Sequence, residues 1–276
     1  MSATLHPADD QELGAMPCPN YRLLGVTIAD VTKAESCDLI EESLLRVRER
    51  RAAARTFYFV NAHTLNLATE DASYRDLLNR GDYVLGDGTG VRWGARLHGV
   101  RVKDNLVGTD LTPAFFESKA GRGYSYFLLG SDEQTIEAAA AYARKEFPGW
   151  IQAGFHHGFL KESVAERSAI AAIREARPDV LLVGMGNPIQ ERWIERWASE
   201  LPVGACLGIG GLFDYWAGNV SRAPLAFRRA GYEWLWRLYQ QPRAKAQRYL
   251  LGNPQFLYRL LRDRAAARRR PSAASG

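Results

Sequence analysis

The chain has 276 residues, 46% hydrophobic and 24% charged, with a formal net charge of +5, a globular composition long enough for one sizeable core or a domain with an appendage. No apolar run approaches the roughly 18–20 residues that cross a bilayer, and the start MSATLHPADDQELG lacks the apolar stretch of a secretory signal. Cys18, Cys37 and Cys206 are widely spaced and form no CxxC, which speaks against a disulfide framework or a cysteine metal cage and suits a reducing cytosol.

Residues 1–20 are polar and proline-dotted and are expected to form a flexible arm. Beyond it, apolar strand-like runs alternate with helix-like segments as far as Ile209. A short strand is expected near 22–28. Thr32 followed by Glu35 is a capping-box pattern, opening a helix over 32–51. RTFYFV (55–60) reads as a strand, 63–79 as a helix, YVL (83–85) as a strand and 89–98 as a helix. A helix over 111–120 precedes the strand YSYFLLG (124–130), a helix over 133–146, a short strand at 150–154 and a helix over 161–176. DVLLVG (179–184), a helix over 188–200 and ACLGIG (205–210) complete the series, with Cys206 as a small core residue. Runs as continuously apolar as LLVGMG suit strands buried on both faces, as parallel sheets require. Alternation of strand and helix then predicts an α/β fold, and too few strands for an eight-fold barrel make it an open sheet.

In such a sheet, ligands bind beyond the carboxyl ends of the strands. Five unusual loops fall there: Asn61-Ala-His-Thr, Gly86-Asp-Gly-Thr-Gly, Gly130-Ser-Asp-Glu, Gly184-Met-Gly-Asn-Pro and Gly208-Ile-Gly-Gly. Glycines let backbone approach a ligand, and helix amino ends offer N–H groups to an anion. One such loop is an ordinary turn; the repetition points to a phosphate-bearing ligand. Thr89, Gly130, Ser131, Gly184, Gly186, Gly210 and Gly211 are therefore candidate substrate-binding residues.

Asp87 sits between two glycines. It either caps the helix over 89–98 or, held open by its small neighbours, takes a proton as general base. Asn61 either caps the next helix or holds a sugar hydroxyl or phosphate oxygen. Gln190 lies in the first turn of a helix opened by Asn187-Pro188. Glu191 beside it suits the helix dipole and needs no catalytic role. His63, His156 and His157 show neither HxxxH nor HExxH spacing, and no DxD pair is present. Chemistry without a metal or cofactor is therefore expected. No GxSxG elbow appears, and GMGNPIQE does not fit GxGxxG, which weakens a nicotinamide reading.

The carboxyl-terminal stretch differs in charge. Between Arg222 and Arg270 stand 13 Lys and Arg against Glu233 and Asp263, a balance of +11, leaving −6 for the rest. Tryptophans and tyrosines are interleaved with the arginines, and Pro242 and Pro254 are expected to divide the stretch into short helices. Such helices either pack on the domain with solvated arginines or lie at an anionic membrane surface, where amphipathic rings sit at headgroup depth. No RNA-recognition motif is visible, so no nucleic-acid partner is expected.

VNAHTLNLA, DGTGVRWGARL, VGTDL, YFLLGS, VGMGNPIQERWI, GIGGLFDYWAGNVSRAP and the GYEWLWRL, QPR and RYLLGNPQF pieces follow one another in an order and spacing that resemble the WecG/TagA/CpsF family of bacterial glycosyltransferases, over roughly 21–261. The resemblance implies a Rossmann-like core with a basic appendage. It implies inverting, metal-independent transfer from a UDP-sugar to a polyprenyl-diphosphate-linked acceptor at the cytoplasmic membrane face, in cell-surface polysaccharide synthesis. By position, Asp87 becomes the base, Asn61 and Gln190 donor-site amides, and Asp214 a residue near the nucleotide. Arg222, Arg237, Arg243 and Arg248 would face the lipid diphosphate. Two positions depart from the pattern: Phe59 stands where some members have threonine, and Asn105 where others have arginine. Arg101, Lys103 or a tail arginine would then supply the missing cation.

The expectation is thus a Rossmann-like, open, mostly parallel α/β sheet flanked by helices, with a basic aromatic helical appendage. Its segments are a flexible arm (1–20), a glycosyltransferase core (21–221), a membrane- and acceptor-binding appendage (222–264) and a disordered tail (265–276). The alternative is a nucleotide-sugar-binding regulatory protein without turnover. Homo-oligomerisation is left open.

Overall fold

The computed structural model describes residues 18–49, 53–160 and 163–269. Most of the arm (1–17) and the last residues (270–276) lie outside the described residues. Eight strands form one sheet: β1 (Asn20–Leu23), β2 (Val26–Ala29), β3 (Arg55–Val60), β4 (Tyr83–Gly86), β5 (Ser125–Gly130), β6 (Ile151–His156), β7 (Val180–Gly184) and β8 (Ala205–Gly208). Their order is β1-β2-β4-β3-β8-β7-β5-β6. Among the described residues, only the β1–β2 pair is antiparallel. The single strand expected near 22–28 is this hairpin. Leu24 (φ 50°) and Gly25 (φ 84°) turn the chain, a left-handed pair that suits a two-residue hairpin loop.

The helices of the core are α1 (Lys33–Arg48), α2 (Ala62–Glu70), α3 (Ala72–Arg80), α4 (Thr89–Leu97), α5 (Gly108–Ser118), α6 (Glu133–Glu146), α7 (Ser163–Ala176), α8 (Ile189–Trp197) and α9 (Leu212–Trp216). Thr32 and Glu35 form the reciprocal capping box at α1. The single helix expected over 63–79 is broken at Asp71, which ends α2 and caps α3 by accepting the Tyr74 N–H at 3.1 Å.

Side chains alternate across the sheet with the period of two that strands impose. Phe57, Phe59, Leu85, Leu128, Leu182 and Leu207 face one layer, against α1, α5, α6 and α9. Tyr58, Val60, Val84, Leu129, Leu181 and Cys206 face the other, against α2, α3, α4, α7 and α8. All six residues of β3 are buried, as an interior parallel strand requires.

The appendage comprises α10 (Leu225–Ala230), α11 (Glu233–Gln240), α12 (Pro242–Ala246), a π-helical turn over 247–251 and α13 (Gly252–Arg269). Pro242 opens α12 as expected. Pro254 does not divide the chain: helical turns run without interruption from α12 through the π-helical turn into α13, and Pro254 lies just beyond that turn. That helix also runs past the expected boundary at 264, because Ala265-Ala266-Ala267 favours helix and the next proline is Pro271. Phe256 and Leu260 of α13 are buried in the layer shared with α2 and α4. Arg259 donates to the Asn66 backbone oxygen at 2.9 Å and to Glu70 at 2.7 Å. Packing on the domain therefore describes one face of this helix, while Leu257, Tyr258 and Leu261 remain exposed.

Candidate active site

β4, β3, β8 and β7 are neighbours in that order, and their carboxyl ends are level: Val60 pairs with Gly86, and Gly208 with both Tyr58 and Val183. Four loops rise from this edge. With the appendage they enclose a cavity of about 780 Å³, reached by Asp87, Asn61, Thr89 and Gln190 from the core and by Arg237 and Arg248 from the appendage. A wider groove of about 1390 Å³ adjoins it and shares His63, Asn187, Gly210, Gly211, Arg237 and Arg248.

Asp87 is not the helix cap. Gly88, at φ 92°, occupies that position in α4, with no side-chain cap bond. The turn is fixed from elsewhere: Asp87 N–H donates to the Val60 carbonyl at 2.8 Å, and Gly88 N–H to Asn105 Oδ1 at 2.9 Å. The carboxyl is left facing the cavity, crowded by protein atoms. Burial pushes it up to about 7; Arg248 and a hydrogen bond from Asn61 pull down, Glu233 and Asp110 push up. A carboxyl held near neutrality suits proton abstraction at that pH.

Of the two readings of Asn61, the helix cap is present in the structure. Its Oδ1 caps α2, accepting the N–H groups of His63 at 3.0 Å and Thr64 at 3.2 Å. That leaves its NH₂ for Asp87. Gln190 is 1% exposed, and its amide is already engaged. Oε1 accepts the N–H groups of Gly186 at 3.2 Å and Gly210 at 3.1 Å, and Nε2 donates to Glu191 at 2.7 Å. Two loop N–H groups expected to face an anion thus turn inward. Glu191 is completely buried, and burial raises its carboxyl to about 7.

The sequence model of the glycosyl transferase WecG/TagA/CpsF family matches residues 21–270. The chain belongs to this family. An N-acetylglucosaminyldiphosphoundecaprenol N-acetyl-beta-D-mannosaminyltransferase of Bacillus spizizenii is 30% identical over 202 residues, covering 73% of this chain and 77% of the relative. The protein of the same name from Staphylococcus aureus is 29% identical over 177 residues, covering 64% and 68%. The chain is a glycosyltransferase, and a regulatory protein without turnover is set aside.

Within this WecG/TagA/CpsF member the other expected residues separate. Gly211 lines both spaces; Ser131, Gly184, Gly186 and Asp214 line the wider groove. Gly130 lines neither. A Cβ on it would lie 2.3 Å from the Gly184 oxygen, so close packing of β5 on β7 explains this glycine. Of the four arginines, Arg237 and Arg248 reach the cavity, and Arg237 Nη1 and Arg248 Nε are buried without a hydrogen-bond partner among the described residues. Arg237 lies 3.9 Å from Asp214 and 4.7 Å from the Tyr215 ring centre. Arg222 instead bridges Asp110 at 2.8 Å and Glu233 at 3.0 Å, while Arg243 is exposed outside both spaces. Arg101 lines neither space, and Lys103 pairs with Glu35 at 2.9 Å; the cations near Asp87 come from the appendage.

Sequence reasoning missed Lys245 and His63 in this setting. Burial, with Arg248 and Arg237 nearby, lowers Lys245. Burial, then Arg248 and Lys245, lowers His63 to about 4, so its ring is neutral. Lys245 stood in the sequence as one more charge of a basic run, and only the fold turns it inward. Among the described residues no three His, Cys, Asp or Glu side chains gather as metal ligands, and no helix is long and apolar enough to cross a membrane.

Proposed function

We propose that the enzyme transfers a sugar from a UDP-sugar to a polyprenyl-diphosphate-linked acceptor, with inversion and without a metal, in cell-surface polysaccharide synthesis. Asp87 accepts the proton of the acceptor hydroxyl while that oxygen bonds to the anomeric carbon. The bond from this carbon to the diphosphate oxygen breaks, and UDP leaves with the electron pair. Asn61 holds the carboxylate, and Thr89 and the loops at Ser131, Gly184, Gly186, Gly210 and Gly211 cradle the donor with Asp214. Arg237 and Arg248 offset diphosphate charge, and Lys245 adds to that wall. The outer arginines and exposed aromatics of the appendage rest on an anionic bilayer at the inner face of the cytoplasmic membrane.

One observation carries this reading. A poorly hydrated carboxyl, held by Asn61, shares a cavity with two guanidinium groups, each keeping a buried N–H unpartnered among the described residues. Buried donors without partners carry a penalty that an incoming oxyanion removes. The relatives' names set the first substrates to try: UDP-N-acetylmannosamine within a panel of UDP-sugars, on extracted membrane lipid. Asp87→Asn is expected to lose about a thousandfold in UDP release while binding UDP as tightly as wild type. Undiminished turnover of this variant excludes Asp87 as the base.

A further inference from the structure

Glu191 has the surroundings of a built device. It is a carboxyl with 0% exposure that meets no cation among its hydrogen-bond partners. All three partners donate to it: Gln190 Nε2 at 2.7 Å and Asn187 Nδ2 at 2.6 Å to Oε1, and the Tyr74 hydroxyl at 3.1 Å to Oε2. Burying such a group is unfavourable unless its bonds achieve something. Its effect is read one residue away. By taking the NH₂ end of Gln190, Glu191 fixes which end of that amide faces the loops. The oxygen then bridges Gly186 N–H, after β7, and Gly210 N–H, after β8. With the amide reversed, an NH₂ would oppose two N–H donors and the bridge would open.

We infer that Glu191 is a positioning residue that, through Gln190, sets the spacing of the two glycine loops against which the nucleotide diphosphate lies. This rests on the proposed donor site. Neither side chain needs to touch the ligand. Asp87 belongs to the β4 loop, which Gln190 does not hold, so the brace acts on donor binding rather than on proton transfer.

The orienting atom is Oε1, and a glutamine at this position keeps it: its oxygen still accepts from Gln190 and Asn187, and its NH₂ donates to the Tyr74 hydroxyl oxygen. Charge is not what the brace needs. UDP affinity measured by calorimetry on the full chain separates these roles. Glu191→Met, similar in volume but without an acceptor oxygen, is expected to weaken UDP about 10- to 30-fold, and Glu191→Gln to restore it to within about threefold of wild type. A purely structural Glu191 predicts lower melting temperatures with unchanged UDP affinity in both variants, and that result overturns the inference. If Glu191→Met fails to fold, Gln190→Met, which removes the bridging oxygen itself, takes its place: UDP affinity unchanged in that variant overturns the inference, as does a loss beyond about tenfold in Glu191→Gln, which would show that charge and not orientation matters. A wild-type protein that binds no UDP defeats the donor site and this inference with it; wild-type binding matched by Glu191→Met defeats the inference only.

Discussion

Strand β4 carries an aspartate at each end, and the two are opposites. Asp82, just before the strand, accepts Arg55 Nη1 at 2.6 Å, Thr56 N–H at 2.9 Å and the Thr56 hydroxyl at 3.0 Å. Asp179 does the same before β7, with Arg48 at 2.6 Å and Ser125 N–H at 2.7 Å. At the amino edge of the sheet, carboxylates tie neighbouring strands together. At the carboxyl edge Asp87 has no ion pair among the described residues, and Arg248, the cation that acts on it, belongs to an appendage that also lines the cavity. One edge is satisfied within the chain. The other turns Asp87, Arg237 and Arg248 toward a cavity, while Gln190 satisfies the Gly186 and Gly210 N–H groups beside it.

Crossing the two substitutions breaks this comparison most sharply. Asp87→Asn is expected to remove about a thousandfold of turnover with no loss of folding stability. Asp82→Asn removes the negative charge that faces Arg55 and one of the two acceptor oxygens that tie the β3–β4 edge, and is expected to lower stability by about 2–3 kcal/mol with turnover per folded molecule unchanged. Denaturant titration beside UDP release checks both. If Asp82→Asn lost turnover at full stability, the two edges would not divide stability from chemistry.

The pH dependence of stability sharpens it next, because the two kinds of aspartate act with opposite sign. Asp179 is held below the usual carboxylate range: against burial, which pushes up, the bonds from Arg48 and Ser125 prevail. Its contribution is complete above the unfolded value and is lost as pH falls through the folded one. Asp87 is raised to about 7, so its folded form holds the proton more tightly than the unfolded chain, and stability falls as pH rises from about 4 to about 7. Glu191 is raised in the same way, so the test compares variants rather than wild type alone. Asp87→Asn is expected to be more stable than wild type by about 1–3 kcal/mol at pH 8, with the gap closing toward pH 4. A constant gap across that range means the Asp87 carboxyl is not displaced from its unfolded value.

Much of this was legible in the sequence, and the reasons are specific. Continuous apolar runs such as RTFYFV located the interior strands, and Gly86-Asp-Gly-Thr-Gly marked the strand end where Asp87 faces the cavity. The capping box at Thr32 was readable because it is local. What depended on distant partners was not. Nothing near Asn105 announces that it holds Gly88 N–H, and nothing near Glu191 announces that its carboxyl is buried. The break at Asp71 hid inside an apolar periodicity that continues across it. Gly130 looked like a ligand loop because close packing and ligand approach ask for the same residue.

The smallest expected effect concerns the outside of the open edge. Tyr239 and Tyr258 are 78% and 63% exposed, and Leu235 and Leu261 of the appendage are exposed with them. Large apolar side chains left mostly in water on a basic segment bury little area in the fold. An interfacial bilayer is the environment in which both the rings and the arginines gain. Replacing Tyr239 and Tyr258 by serine should therefore change folding stability by no more than about 0.5 kcal/mol, while weakening flotation with vesicles of anionic phospholipid several-fold. High salt should weaken binding of the wild type further, since the arginines act over a Debye length of about 8–10 Å. If the double variant floats as well as wild type, the exposed rings play no part in docking, and the carboxyl edge would be open only to what the cavity admits.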